Sequence, residues 1–167
     1  MKMKTLAGVL TLSCGAICLS AMSGLAAGGG VHCQKIGGGL LTNFLEATQC
    51  ASPVGLCTDG PATGDLRGAV GVQVLGVNGN VYHVRHHWVT ESGDTILLKD
   101  AFLTTFPTSD PHRVLADYLD GIDITGGTGR FDGATGHLSS AFGGADLNLG
   151  QITLRYAGTV CFRPVER

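Results

Sequence analysis

Apolar and polar residues alternate with a period of two along most of the chain, and helical periodicity is nearly absent. Val70, Val72 and Val74 show the alternation clearly, and it returns from Ile152 to Phe162. A period of two places successive side chains on opposite faces of a strand, so the pattern indicates an all-β protein. It predicts seven or eight strands, at roughly 31–36, 40–49, 65–78, 80–91, 94–106, 113–125, 135–143 and 149–162.

Glycine-containing turns separate these strands. Asn78 and Gly79 are typical of a tight hairpin between the third and fourth strands. One segment has an alternative interpretation, because Asp110 and Pro111 have the form of a helix cap followed by proline at the first helical position. A short helix there would replace the first part of the strand at 113–125. Short strands in this number and at this spacing predict a sandwich or a barrel.

The N-terminus has the pattern of an export signal. Lys2 and Lys4 precede an apolar stretch from Leu6 to Leu19, and small residues follow up to Ala27. The apolar stretch is too short for a membrane span. We therefore expect a signal peptide at 1–27, a single domain at 28–167, and a periplasmic or secreted protein. A lipoprotein is the minor alternative, because cysteines occur within the signal region.

Four cysteines remain after removal of the signal, and in an oxidising compartment they predict two disulfides out of three connectivities. Cys50 and Cys57 bracket a turn-rich loop that a local bridge would close. Cys33 would then join Cys161 and link the first strand to the last, which favours a barrel. No cysteine or histidine pair accompanies them at zinc-finger spacing.

The charged residues are few and do not alter the prediction of the fold. Charged residues make up 14% of the chain, and without Lys2 and Lys4 nine basic residues remain against thirteen acidic ones. There is no basic patch, so we expect no nucleic acid partner.

The segment Gly126–Gly136 has five glycines among its eleven residues and a single bulky apolar residue. Its spacing matches neither a phosphate-binding loop nor a dinucleotide fingerprint. We expect a structural corner between strands, closed by one aromatic side chain. Its residues are Gly126, Gly127, Gly129, Phe131, Gly133 and Gly136.

The stretch from Ile124 to Gly136 resembles the signature of the allene oxide cyclase and dirigent-like barrel superfamily, and 87–96 is similar to exported bacterial members. The likeness covers roughly 65–162. It implies a single antiparallel eight-stranded barrel of the calycin type, with an apolar cavity, and a dimer or trimer. Members with a known role either cyclise an apolar substrate or steer radical coupling. The catalytic residues of the plant proteins find no match here.

The richest cluster of chemical groups lies at 82–88, with three histidines and the only tryptophan. Alternation places Tyr82, Val84, His86 and Trp88 on one face, which we expect to look inward. His83 and His87 share the other face and are too far apart on a strand to hold one metal. A solvated basic face is the simpler interpretation of that side.

The register of the hairpin predicts which residues of the next strand face inward beside His86 and Trp88. A three-residue loop at 91–93 would pair Trp88 with Ile96, His86 with Leu98 and Val84 with Asp100. A shift by one residue would pair His86 with Asp100 directly, and a two-residue loop would turn the second strand over. In the first two registers Asp100 and Phe102 face inward.

The candidate site combines residues of both strands. His86 and Asp100 are candidate catalytic residues, and a satisfied structural pair is the alternative. The candidate ligand-binding side chains are Tyr82, Val84, Trp88, Leu98 and Phe102. We expect no metal and no cofactor.

Three functions stay open. The first is an exported barrel that binds or steers a small apolar molecule without covalent chemistry. The second is a cofactor-free cyclase or isomerase that acts in the same cavity. The third is a non-catalytic structural or surface-interaction module.

Overall fold

The computed structural model describes residues 30–163, which form a closed antiparallel β-barrel of eight strands. The predicted all-β fold class is therefore confirmed. Ten segments build the wall: β1 (His32–Phe44), β2 (Cys57–Ala62), β3 (Gly68–Asn78), β4 (Val81–Thr90), β5 (Thr95–Leu98), β6 (Ala101–Pro107), β7 (Arg113–Asp117), β8 (Ile122–Gly127), β9 (Thr135–Asp146) and β10 (Gln151–Phe162). Single 3-10 turns lie at Ala47–Gln49, Gly64–Leu66 and Gly129–Phe131.

Two of the eight wall positions are shared by pairs of segments. β4 pairs with both β5 and β6, and β9 pairs with both β7 and β8. β5 pairs with β8 and β6 pairs with β7, so each pair of segments acts as one strand of the wall. The other strands pair with their neighbours in the chain, and β1 pairs with β10 to close the wall. Closure leaves no free sheet edge, which decides between a barrel and a sandwich.

Both predicted disulfides are present. Cys33 lies directly opposite Cys161 across the β1–β10 pair, and Cys50 joins Cys57 at the start of β2. Disulfides are compatible with a periplasmic or extracellular location. The expected signal peptide at 1–27 lies outside the described residues. Within 30–163, no helix has the length and apolar character needed to cross a membrane.

The beginning of the chain differs from the strand prediction. The predicted strands at 31–36 and 40–49 are one continuous strand, β1, and β2 was not predicted. A Cβ at Gly38, between the two predicted strands, would overlap the carbonyl oxygen of Thr63, so glycine there permits close packing of the chain. β2 contains Gly60 and Pro61, which are rare in strands. The short helix after Asp110 is absent, and β7 occupies that segment.

The glycine segment forms the predicted corner between β8 and β9. The Phe131 side chain is fully buried and lies against Phe162, with ring centroids 5.5 Å apart. Gly129 adopts a φ of 56°, in the left-handed region, and a Cβ there would overlap the Asp94 carboxylate. This corner seals one end of the barrel.

Candidate functional site

The barrel interior holds a cavity of about 120 Å³, and every strand of the wall contributes inward-facing side chains to it. At one end Leu66, Phe131 and Val160 are buried and close the barrel. At the other end Phe44 and Leu56 are half-buried lining residues, so the cavity approaches the surface there. We refer to these as the sealed end and the open end.

Alternation along β4 places side chains as predicted. Tyr82, Val84, His86 and Trp88 all line the cavity, and so does Leu98 of β5. The loop at 91–93 has the expected geometry, because the Thr90 amide donates to the Asp94 carbonyl and Trp88 pairs with Ile96. The predicted inward face of β4 is therefore confirmed.

Asp100 and Phe102 do not line the cavity, so their predicted inward positions are wrong. An irregularity between β5 and β6 adds one residue, and Val84 consequently pairs with Ala101 rather than Asp100. A slip of one residue moves every later side chain to the opposite face. Leu103 and Thr105 face the cavity in their place.

On the outer wall Asp100 has a different partner. The Arg85 guanidinium donates to both of its carboxylate oxygens, at 3.0 and 2.8 Å. These hydrogen bonds hold the pKa of Asp100 below its usual range and raise the pKa of Arg85. Phe102 is 57% exposed and stacks on His83. The arrangement is a surface ion pair, separate from the cavity.

The true partner of His86 is Tyr118, whose hydroxyl lies 2.8 Å from His86 Nε2. Burial lowers the pKa of His86 to about 4, and burial also raises the pKa of Tyr118. Both side chains are consequently neutral at pH 7. This hydrogen bond joins β4 to the interruption between β7 and β8.

Proton counting indicates which tautomer of His86 is present. Tyr118 makes no other side-chain hydrogen bond within residues 30–163. If Nε2 carried the proton, both the phenolic hydrogen and the Nδ1 lone pair would be buried without a partner, whereas donation from Tyr118 to Nε2 leaves only the Nδ1 proton without one. The better arrangement has Tyr118 donating to Nε2, which leaves the proton on His86 Nδ1. That Nδ1 and the Thr58 hydroxyl are buried without a partner in the described chain.

Trp88 and Tyr156 shape the cavity toward its sealed end. Their rings meet edge to face, with centroids 5.4 Å apart. Trp88 Nε1 donates to the Leu66 carbonyl, and the Tyr156 hydroxyl donates to the Thr63 carbonyl while it accepts from the Leu66 amide. These polar groups are satisfied by the protein, so the two rings present apolar surface to the cavity.

Sequence reasoning missed Tyr118, Thr58 and Thr42 as lining residues. A signal for Tyr118 was present, because Val114, Ala116 and Tyr118 alternate as strand residues should. The competing helix interpretation obscured it. No comparable signal marked Thr58, since β2 was not predicted.

The side chains that line the cavity determine what the site can bind. Apolar walls surround one neutral imidazole–phenol pair, which suits binding of an apolar molecule. Within 30–163, no group of three histidine, cysteine, aspartate or glutamate side chains is arranged to hold a metal ion.

Fold and site together define a class: a closed, disulfide-linked β-barrel with an apolar interior cavity. Comparison with protein-family models, with curated proteins and with solved structures finds no match. The cavity and its side chains are therefore the basis on which a function can be assigned.

Proposed function

We propose that this protein is an exported barrel that binds a small, predominantly apolar molecule in its interior and holds or steers it without covalent chemistry. The observation that carries the proposal is the cavity of about 120 Å³ with apolar walls. An apolar cavity of about 150 Å³ is enough to bind benzene. The enclosed part is slightly smaller than that, so it suits a short chain or most of one ring, and a larger ligand would extend toward the open end.

The resemblance to the allene oxide cyclase and dirigent-like superfamily supports the same proposal, as does the export pattern at 1–27. We place the mature protein in the periplasm or outside the cell. In this view the barrel supplies shape and exclusion of water, and the ligand supplies its own reactivity.

Cyclase or isomerase activity is a second candidate, and the His86–Tyr118 hydrogen bond is the observation that favours it. A neutral imidazole beside a phenol can accept and return a proton within an apolar pocket. Asp100 has no part in this candidate, because it lies on the outer wall bound to Arg85.

Binding can be tested with benzene and toluene as probes. Trp88 is the only tryptophan and lines the cavity, so its fluorescence reports occupancy. Ala141 is a small buried lining residue, and Ala141→Leu should fill the cavity and weaken binding at least about tenfold. Ala69→Leu is the matched control, because Ala69 is exposed on the outer face of β3 and does not line the cavity.

Leu103→Phe, nearer the open end, is a second filling variant in case Ala141→Leu does not fold. Circular dichroism establishes folding in each case. Equal probe affinity in the wild type and in folded filling variants would contradict the proposal. Mass spectrometry of an allene oxide recovered after incubation separates the two candidates: an unchanged product ratio supports binding alone, and an enriched cyclic product supports catalysis.

A further inference from the structure

The outer wall centred on β9 carries large apolar side chains that are not buried in the barrel. Phe142 is 53% exposed and Leu115 is 56% exposed, and Phe106 and Leu41 are also exposed. All four project outward, because their neighbours in each strand face the cavity. Exposed apolar side chains grouped in this way mark an interaction surface. We call this surface, made by β6, β7, β9, β10 and β1, the β9 face.

Strand register places opposite charges on the two sides of Phe142. Asp117 of β7 pairs with Phe142 from one side, and Arg155 of β10 pairs with it from the other. Neither charge takes part in an ion pair within residues 30–163. The β9 face therefore carries one negative and one positive charge on opposite sides of its aromatic centre.

The two flanks also differ in shape. On the β10 side, a groove of about 770 Å³ runs along the outer wall. Small residues line it, including Gly39, Ser140 and Ala157. On the β7 side, Phe106 pairs with Leu115, and the two large side chains form a ridge.

We propose that the β9 face binds a second copy of this chain about a two-fold axis that runs along β9 through Phe142. Such an axis exchanges β7 with β10 and β6 with β1. Asp117 of each copy then faces the partner's Arg155, and the two Phe142 rings meet on the axis. The surface is complementary to itself in charge, which an isologous interface requires.

Strand register also relates residues that lie farther from the axis. Phe106 and Leu41 lie in one row across the sheet, two strands to either side of Gly144. The two-fold axis brings Phe106 of one copy against Leu41 of the other. The ridge of each copy then faces Thr153 and Leu41 of its partner, which line one end of the partner's groove.

Charge reversal tests this arrangement. Wild-type protein should sediment as a dimer at the highest soluble concentration. Asp117→Arg places two arginines in contact, and Arg155→Asp places two aspartates in contact, so each variant alone should dimerise at least about tenfold more weakly. Asp132→Arg is the control, because Asp132 is exposed at the sealed end, away from the β9 face. Circular dichroism shows whether each variant is folded.

Mixing the two single variants gives the decisive result. The Asp117→Arg copy then offers two arginines and the Arg155→Asp copy two aspartates, so a mixed dimer satisfies both contacts. Recovery of the dimer in the mixture, and in the Asp117→Arg/Arg155→Asp double variant, supports the proposal. A monomeric wild type, a trimer, dimers that survive single reversal, equal weakening by Asp132→Arg, or no recovery on mixing would each overturn it.

Discussion

At the scale of single residues, the hydrogen bond between His86 and Tyr118 is the polar contact that matters most in the cavity. Sequence alone placed His86 inward but could not identify Tyr118, which lies thirty-two positions away. Hydrogen bonds between distant strands depend on side-chain reach across a curved wall. Alternation gives the face of a residue and leaves its partner undetermined.

Tyr118→Phe should lower the free energy of unfolding by about 1–3 kcal/mol, because it leaves buried His86 Nε2 without a partner. The His86→Leu/Tyr118→Phe double variant should recover much of that loss, since removing both partners leaves no unpaired group at this contact. Urea unfolding of the single and double variants measures both effects. A Tyr118→Phe variant as stable as the wild type would show that the hydrogen bond is unimportant.

Acid should destabilise the fold through His86. Its pKa is about 4 when folded, against an ordinary value of 6.5. Between these values the unfolded chain binds a proton that the folded chain does not, so stability is greatest above pH 6.5 and falls as the pH drops toward 4. The shift corresponds to about 3 kcal/mol over that range.

Urea unfolding at pH 7 and pH 4 measures this loss. The reference is the His86→Leu/Tyr118→Phe variant, which lacks the titrating group. Protonation of Asp100 also favours unfolding in acid, but Asp100 and its main partner Arg85 are present in both proteins, so the comparison removes most of that effect. Equal acid sensitivity of the two proteins would contradict the assignment.

At the scale of elements, one additional residue separates the predicted site from the observed one. The alternation from Val84 to Trp88 was sufficient to place β4, and the turn at 91–93 was sufficient to place β5. The irregularity before Ala101 then turned β6 over and removed Asp100 and Phe102 from the interior. The residues from Leu98 to Asp100 give no sequence signal for a bulge, because many residue types can occupy one.

The two disulfides should differ in their contribution to stability. Cys33 and Cys161 are separated by 128 positions, and Cys50 and Cys57 by 7. Loop-closure entropy predicts a cost of about 5 kcal/mol for losing the long-range bridge and about 2 kcal/mol for losing the local one. Urea unfolding of Cys33→Ser/Cys161→Ser and Cys50→Ser/Cys57→Ser measures the two costs. A larger cost for the local pair would contradict this ranking.

At the scale of the whole molecule, the barrel has two unlike ends and two unlike surfaces. Phe131 and the glycine corner seal one end, so a molecule that binds as proposed would enter from the end near Phe44 and Leu56. The glycines and the single aromatic residue at 126–136 were enough to expect the corner, and the resemblance was enough to expect the eight-stranded wall. It could not locate the β9 face, because exposed side chains there obey the same alternation as every other strand.

The pairing of β1 with β10 also constrains the order in which the strands of the barrel can fold. The wall closes between segments at opposite ends of the chain, so the barrel cannot be completed before its final strand is available. Until then, β1 and β9 each present an unpaired edge, which invites association with other chains. A chain delivered unfolded across a membrane would avoid this exposure in the compartment of its synthesis. Closure of the wall and oxidation of Cys33 with Cys161 would then take place together, at the destination.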